Sequence, residues 1–420
     1  MDNNLERELS NFEELLGFYS GRIMSRPCIP PEHVYFSLTN RCCLKCKMCD
    51  IAKSPSKIED ELSTGEIKEI ILQIKEIGVK HLIFSGGEPL LRKDLLEILE
   101  FSVSQGLKMV DIISNGVLLD DRLIQALIRI KLNHITISLD GMQDIHDGIR
   151  GAGSFEKSSI GIDRINYYKH KFCSFFPTVG INFTIMNKNI PDILNIVQFA
   201  RKKKCNIVVF QPVLFNNSKM HEKKRNILWP IEDDLPRLKE VMKQLTSLKS
   251  EISDINIYTD DQILNAIPGY FEGKRPGSEF KCYEAIKRIV ITYDGKIWSC
   301  MGIYGDLKNN TLKDIWFSAQ AKSIRERVRK CREHCLQDCV FFPSDISNAA
   351  RVLLKTIKNE DVSDREKIKL RLLKSINNHL EAISKIPDKR LWLLGRANLN
   401  LKMNDLRLIK RSIEKIGLDN

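Results

Sequence analysis

Three cysteines in one short segment have the spacing of an iron–sulfur site. Cys42, Cys46 and Cys49 follow one another as C-x3-C-x2-C, directly after a segment in which apolar residues alternate. Three thiolates can hold three irons of a cubane cluster and leave the fourth iron open for chemistry. Cys43 forms a second run with Cys46 and Cys49, and we interpret it as a bystander. A zinc site or a group of buried thiols is the alternative, although no fourth zinc ligand is close in sequence.

Alternating strands and helices are predicted to position this segment. Apolar alternation and helical spacing together indicate six strand–helix units. The strands are expected at residues 33–39, 81–84, 109–113, 134–139, 179–185 and 207–213, and the helices near 67–74, 91–104, 119–131, 156–168 and 190–203. Such a chain has an α/β fold, either an open doubly wound sheet or a barrel.

Residues able to bind a ligand come directly after the first four strands. They are the cysteines, then Gly86-Gly87-Glu88-Pro89, then Ser114-Asn115-Gly116, then Asp140-Gly141. Because the carboxyl ends of parallel strands share one edge, a curled sheet would gather all four loops into one site. Paired glycines let a ligand approach the backbone, and Glu88 can accept hydrogen bonds from an ammonium group. Ser114 and Asn115 can reach ribose hydroxyls or merely close a turn.

This region resembles the radical S-adenosylmethionine (SAM) superfamily. The resemblance implies a partial (βα)6 TIM-like barrel, a [4Fe–4S] cluster on the three cysteines, and SAM chelated by the open iron. It also implies that the Gly86 to Pro89 segment receives the amino group of SAM. Ser138 and Arg150 would hold the SAM carboxylate, a task that suits a bidentate guanidinium. Met48 stands where the family commonly has an aromatic residue, and it can still cover an adenine face.

A second group of cysteines indicates another metal site. Cys282 and Cys300 flank a predicted hairpin with an Asp-Gly turn, and Cys331, Cys335 and Cys339 follow. The arrangement resembles the SPASM and Twitch extensions that carry auxiliary clusters in radical SAM enzymes. A full SPASM domain uses more cysteines for two clusters, so these five imply one Twitch-like auxiliary [4Fe–4S] cluster, with one cysteine to spare. A zinc site that includes His334 is the alternative.

The composition is that of an ordinary globular protein. The chain has 420 residues, 43% hydrophobic and 29% charged, and no apolar run is long enough to span a membrane. Residues 1–6 lack the basic start of a secretory signal, so we expect a cytoplasmic protein. In a reducing compartment, grouped cysteines are metal ligands more often than disulfides. The net charge of +12 would help a small acidic flavodoxin or ferredoxin to dock as electron donor.

The sequence predicts five segments. They are an N-terminal helix and connector at 1–32, the radical SAM partial barrel at 33–213, a connector at 214–279 with one helix near 235–248, the auxiliary-cluster domain at 280–343, and a basic helical tail at 344–420. The N-terminal helix is expected near residues 5–18. Apolar residues recur with helical spacing at 368–383 and 406–416 in the tail, which predicts a helical cap docked on the barrel.

The resemblance implies an enzyme that cleaves SAM reductively and abstracts hydrogen from a substrate through a 5′-deoxyadenosyl radical. The auxiliary cluster would accept an electron from the substrate, making the reaction an oxidation, or relay electrons inward. About 32 residues before the barrel are too few for a peptide-recognition domain, so we expect a small molecule such as a sugar. A peptide or protein substrate, a non-catalytic iron–sulfur or zinc protein, and RNA binding by the tail are the alternatives. No catalytic side chain is assigned, and His146 is expected to be a surface or structural residue.

Overall fold

Parallel strands form the centre of the fold. The computed structural model describes residues 3–214, 227–274, 281–331, 333, 335–337, 339–341, 350, 362–384, 407, 410–411 and 413–414. The first six strands are β1 His33–Thr39, β2 His81–Gly86, β3 Met109–Ser114, β4 His134–Ser138, β5 Thr178–Ile185 and β6 Ile207–Pro212. They pair in parallel and in sequence order, and they form the predicted partial (βα)6 barrel.

Helices precede and connect these strands. They are α1 Asn3–Met24, α2 Thr64–Glu76, α3 Leu95–Ser104, α4 Asp121–Arg129, α5 Gln143–Arg150, α6 Ser154–Lys171 and α7 Ile193–Lys202. A capping box starts α2, because Ser63 Oγ accepts the Glu66 backbone N–H while the Glu66 carboxylate accepts that of Ser63. The sequence did not predict α5 as a helix, since its eight residues are too few to show a periodicity.

The two faces of the strands differ in burial. On β5 the residues that face the helices, such as Val179, Ile181 and Phe183, are fully buried. Residues that alternate with them, Asn182 and Thr184, keep partial exposure. The same alternation occurs on β1 and β6. The inner face of the sheet is therefore open enough to hold ligands, unlike the filled interior of a closed eight-stranded barrel.

Four further strands extend this sheet beyond the predicted six. At one end, β7 Asn256–Ile257 pairs with β6; at the other, β9 Arg288–Ile291 pairs in parallel with β1. The hairpin strand β10 Lys296–Ser299 and then β11 Gly302–Asp306 continue the sheet in antiparallel order. The predicted hairpin is confirmed, and the Gly295 φ of 85° suits its turn. The ten-stranded order was not predicted, because no local pattern specifies the pairing of β9 with β1.

The connector before the second cysteine group contains more structure than we predicted. Two helices, α8 Leu235–Glu251 and α9 Asp261–Phe271, pack together beside the short β7. The prediction of a single helix was wrong, because Pro268 lies inside α9 and a two-residue strand has no periodicity. The charged run at residues 219–225 lies outside the described residues.

Helix α1 packs on the auxiliary region, which contains β8 Lys281–Cys282, α10 Leu312–Phe317, α11 Ala319–Lys330 and β12 Val340–Phe341. Helix α1 is longer than predicted, and Phe18 packs with Tyr283 and Ile286. The tail helix α12 Val362–Ser384 contacts α1, with its predicted stripe residues Ile368, Leu372 and Ile376 buried. The helical cap formed by the tail therefore packs against α1. In the second stripe Ile413 is buried, whereas residues 406, 409 and 416 lie outside the described part. No described helix is both long and apolar enough to cross a membrane.

Candidate metal and cofactor sites

The first cysteine loop begins where β1 ends. Cys42, Cys46 and Cys49 are half-buried thiols and Cys43 is exposed. The loop is anchored to α5, because the Lys47 backbone N–H donates to the carbonyl of Ile149 at 3.0 Å. The predicted ligands are thus held on one loop at the carboxyl edge of the sheet, next to the helix that carries Arg150.

The paired glycines allow two loops to pack closely together. The Gly87 N–H donates to the carbonyl of Thr39 at 2.6 Å, and the Glu88 N–H donates to that of Arg41 at 2.8 Å. A Cβ atom on Gly86 would lie 2.3 Å from the Thr39 carbonyl oxygen, and one on Gly87 would lie 2.2 Å from that of Arg41. Neither distance is tolerable, so both glycines are required by the cysteine loop itself. Their predicted contact with a ligand remains a prediction.

Glu88 joins the second and third loops. Its carboxylate is fully buried and accepts three hydrogen bonds, from Ser114 Oγ at 2.9 Å, Leu90 N–H at 3.0 Å and Asn115 N–H at 2.8 Å. Burial raises the pKa of Glu88 to about 7. Protein groups already donate three hydrogen bonds to this carboxylate. That it also accepts a hydrogen bond from the ammonium group of a ligand remains a prediction. The next residue, Pro89, is buried and begins a short 3-10 turn.

Ser114 and Asn115 close the turn after β3, which is the second of the two roles considered above. Ser114 Oγ accepts the N–H of Gly116 at 2.9 Å, and Asn115 Oδ1 accepts that of Val117 at 2.9 Å. Asn115 also directs its side-chain amide at the cysteine loop, with Nδ2 3.4 Å from the Cys43 sulfur. Contact with a ribose stays a prediction for both residues.

Hydrogen-bond donors surround the sulfur atoms of the first loop. Asn115 Nδ2 lies 3.9 Å from Cys42 Sγ, the Leu44 N–H lies 3.5 Å from the same atom, and Arg150 Nη1 lies 4.0 Å from Cys46 Sγ. Donors of this kind stabilise cluster thiolates and tune their potential. Three thiols on one loop with polar donors therefore fit an iron–sulfur cluster.

Arg150 is held by a buried anchor that sequence analysis missed. Its Nε donates to Asp140 Oδ2 at 2.6 Å, and the other carboxylate oxygen of Asp140 accepts the Thr184 N–H at 2.8 Å. Asp140 is fully buried, and Ser138 lies two residues earlier at the end of β4. The sequence places Asp140-Gly141 among the residues able to bind a ligand, and nothing local in the sequence links the pair to Arg150. The pair fixes the guanidinium beside the cysteine loop.

His146 is a buried structural residue, which is one of the two roles expected from the sequence. Its side chain is 1% exposed, and Nδ1 accepts the backbone N–H of Asp140 at 3.1 Å. Burial, with the charge of Arg150 as the next cause, lowers the pKa of His146 to about 4. The imidazole is therefore neutral at pH 7 and supports the Asp140 backbone.

A second missed group, around Glu61, stabilises the start of the cysteine loop. The Glu61 carboxylate accepts hydrogen bonds from Thr39, from Arg41 Nε at 2.9 Å and from Ser56 Oγ at 2.7 Å. The buried Arg92 lies 3.6 Å from it and donates to two backbone carbonyls. Met48, further along the loop, is partly buried against the core. The charge network gives the cysteine loop a rigid base.

The second cysteine group converges on one place. The pairing of β8 with β12 brings Cys282 beside Cys339, whose carbonyl accepts the Tyr283 N–H at 2.7 Å. The thiols of Cys282 and Cys335 each form a hydrogen bond with that of Cys339, and these bonds together with burial raise the pKa of both. Cys300 lies close enough to Cys339 and Cys331 to interact with both, and burial raises its pKa to about 12. No three described His, Cys, Asp or Glu side chains, here or in the first loop, are arranged to hold a metal ion as they stand. A cluster held by four of these five cysteines stays a prediction. His334 lies outside the described residues.

The fold and the two cysteine sites define a class, namely iron–sulfur proteins built on a partial βα barrel. Comparison with protein families agrees: residues 36–200 match the radical SAM superfamily, and residues 282–340 match the SPASM iron–sulfur cluster-binding domain. The chain therefore contains a radical SAM domain at residues 36–200 and a SPASM domain at residues 282–340. The family resemblance found in the sequence is confirmed.

Curated relatives and solved structures extend this comparison. Fe-coproporphyrin III synthase of Methanosarcina barkeri is 33% identical over 43% of this chain and 44% of its own length, so the chain spans less than half of that relative. PqqA peptide cyclase of Rhizobium meliloti is 24% identical over 70% of this chain and 75% of its own length. The structure of Streptococcus suis SuiB bound to S-adenosylmethionine shares the fold, with a TM-score of 0.57 and 17% identity over 70% of this chain and 68% of its own.

The two matched domains identify the cofactors. Radical SAM and SPASM domains imply S-adenosylmethionine, a [4Fe–4S] cluster that binds it, and an auxiliary cluster in the SPASM domain. This agrees with the cofactors expected from the two cysteine groups.

Proposed function

We propose that the protein is a radical SAM enzyme that oxidises or otherwise modifies a small polar molecule. The observation that carries the proposal is the cysteine loop at the carboxyl edge of an open barrel, with Arg150 beside it. When bound, the cluster supplies one electron to SAM, which gives methionine and the 5′-deoxyadenosyl radical that removes hydrogen from a substrate. The protein positions the reactants and excludes water.

Particular residues are proposed for each cofactor. Cys42, Cys46 and Cys49 would ligate the SAM cluster, and four of Cys282, Cys300, Cys331, Cys335 and Cys339 would ligate the auxiliary cluster. The SAM contacts would come from Met48, Gly86, Gly87, Glu88, Pro89, Ser114, Asn115, Ser138 and Arg150. Arg150 suits the SAM carboxylate because Asp140 already fixes the direction of its guanidinium. The division of the chain into the five segments predicted from the sequence is also part of this proposal.

The lining of the barrel interior supports a small polar substrate. Five partly exposed inner-face side chains are uncharged hydrogen-bonding groups: Ser37, Ser85, Thr136, Asn182 and Gln211. They share that face with two partly exposed apolar residues, Ile113 and Val209. The Asn182 Oδ1 atom is buried without a hydrogen-bond partner in the described structure, and Asn182 pairs in register with Ser138. Uncharged donors and acceptors suit the hydroxyl or amide groups of a metabolite such as a sugar. The name of Fe-coproporphyrin III synthase also indicates a small molecule.

A peptide substrate is the second candidate. It is favoured by the similarity to PqqA peptide cyclase, which extends over 70% of this chain. Deuterium transfer separates the two candidates. The holoenzyme is incubated with SAM, dithionite and a deuterated cell extract divided by size, and deuterium in 5′-deoxyadenosine is measured by mass spectrometry. We expect 5′-deoxyadenosine to gain deuterium from the small-molecule fraction. Deuterium that comes only from a protease-sensitive fraction would establish a peptide substrate.

The reaction class is tested by metal analysis and SAM cleavage. We expect about eight irons per anaerobically reconstituted chain and about four in a Cys42→Ala/Cys46→Ala/Cys49→Ala variant. Only the wild type should produce 5′-deoxyadenosine with dithionite. Cys43→Ala is the matched control from the same loop and should keep both iron and activity. Zinc in place of iron, with no SAM cleavage, would refute the proposal.

Electron supply and location are further parts of the proposal. The net charge of +12 supports docking of a small acidic flavodoxin or ferredoxin. The cytoplasm is the proposed location, because the clusters and the twelve thiols require reducing conditions. Reduction by a flavodoxin should slow as ionic strength rises, whereas reduction by dithionite should not show that dependence.

A further inference from the structure

Exposed lysines recur at the edge of the sheet opposite to the cysteine loop. Lys80, Lys108, Lys131 and Lys204 each lie between the end of a helix and the next parallel strand, and Lys171 ends the helix that leads to β5. Since the amino ends of parallel strands share one edge, the five lysines form a row across that edge. None of them forms an ion pair with any residue that the structure describes. The charges of Lys80 and Lys108 act on the Glu14 carboxylate of α1, so the row is predominantly but not entirely positive.

An exposed aromatic loop lies within this row. Between α6 and β5, Phe175 is 87% exposed, Phe172 46% and Phe176 39%, and Tyr167 nearby is 61% exposed. Rings stack along the end of α6, with 5.9 Å between the centroids of Tyr168 and Phe172. Because β5 lies between β4 and β6, the loop is flanked by the lysines that precede those two strands. Several large aromatic side chains thus share one basic surface.

The arrangement fits a lipid surface better than a protein partner. Aromatic anchors in protein interfaces usually occupy pockets of the partner and lie at the centre of a packed patch, whereas Phe175 projects from a loop. Aromatic rings beside lysines are typical of proteins that bind the interface of a bilayer, where the rings enter the headgroup layer and the lysines contact anionic lipids. Five neighbouring strands give the row a width of about 20 Å, which is broad enough for several headgroups.

We propose that this edge, consisting of the five lysines and the aromatic loop at residues 167–176, binds anionic phospholipid bilayers. The cysteine loop, at the carboxyl edge of the same strands, would then face away from the membrane. Binding would be peripheral and reversible, since its components are surface charges and a few exposed rings. The proposal does not depend on the reaction or on the substrate.

Vesicle flotation with the reconstituted full chain tests the proposal. Vesicles of phosphatidylcholine alone are compared with vesicles that also contain phosphatidylserine, and we expect binding only to the second, with loss at high salt. Phe175→Ser should lower the partition coefficient about tenfold. The matched control is Ile58→Ser, which removes a side chain that is 68% exposed elsewhere on the surface and should leave binding unchanged. Both replaced side chains are exposed, so circular dichroism should match the wild type.

Reversing the charge of two lysines tests the proposal independently. A Lys131→Glu/Lys204→Glu variant should lose binding to anionic vesicles while it keeps its iron content. The assignment is overturned if wild type does not float with anionic vesicles, or if Phe175→Ser and the lysine variant both bind like wild type. Retention of RNA by this face without any vesicle binding would also overturn it and would point to a nucleic-acid surface.

Discussion

Replacement of His146 should change how stability depends on pH. The imidazole is 1% exposed and accepts a hydrogen bond from the backbone of Asp140 at 3.1 Å. Burial and, next, the charge of Arg150 lower its pKa from 6.5 to about 4, while the carboxylates of Asp140 and Asp147 oppose the shift. Protonation would therefore bury a positive charge close to the guanidinium of Arg150.

The sign and size of the effect follow from this pKa. Between pH 4 and pH 6.5 the folded protein binds fewer protons at His146 than the unfolded chain, so stability falls as pH decreases through that window. Integration between pH 7 and pH 5 gives a loss of about 2 kcal/mol from this side chain. The contribution is almost fully present above pH 6.5.

The variant His146→Asn isolates this contribution. The asparagine oxygen can replace Nδ1 as the acceptor, and it does not titrate. Urea unfolding is followed anaerobically by circular dichroism at pH 7 and pH 5. The wild type should lose about 2 kcal/mol more than the variant between these two values. His170→Asn, at an exposed position on α6, is the control and should behave like the wild type. Equal pH dependence in wild type and His146→Asn would refute a buried neutral imidazole.

Three further substitutions test the framework of the sites. Gly87→Ala should reduce iron content and thermal stability, because its Cβ would meet a backbone carbonyl at 2.2 Å; Gly65→Ala, with no atom within 4 Å, should be neutral in both assays. Glu61→Gln should cost about 2 kcal/mol in urea unfolding, since Arg41 loses its carboxylate partner while Arg92 keeps Asp94. Leu372→Ala should cost about 3 kcal/mol by opening a cavity against α1, whereas the half-exposed Arg371→Ala should cost less than about 1 kcal/mol.

Local patterns made much of this structure predictable. The six central strands and the Asp-Gly hairpin depend on alternation and turn residues within a few positions, and both were predicted. The ion pairs of Arg150 with Asp140 and of Arg92 with Glu61 join residues that are 10 and 31 positions apart, and no periodicity marks such contacts. Gly86 and Gly87 illustrate best what the sequence alone could not predict. The sequence indicated close backbone approach, but only the structure shows that the approaching group is the cysteine loop.

The two cysteine groups lie toward opposite edges of one continuous sheet. Strands β1 and β9 pair in parallel, with His33 beside Arg288. The first cysteine loop follows the carboxyl end of β1, whereas Cys282 precedes β9 and Cys300 follows the antiparallel β10, so the second group lies toward the other edge. The seven residues of β1 span about 20 Å, and the ladder fixes this separation. We expect a substrate in the open interior to lie between the two groups. This geometry favours an auxiliary cluster that exchanges electrons with the substrate rather than with SAM.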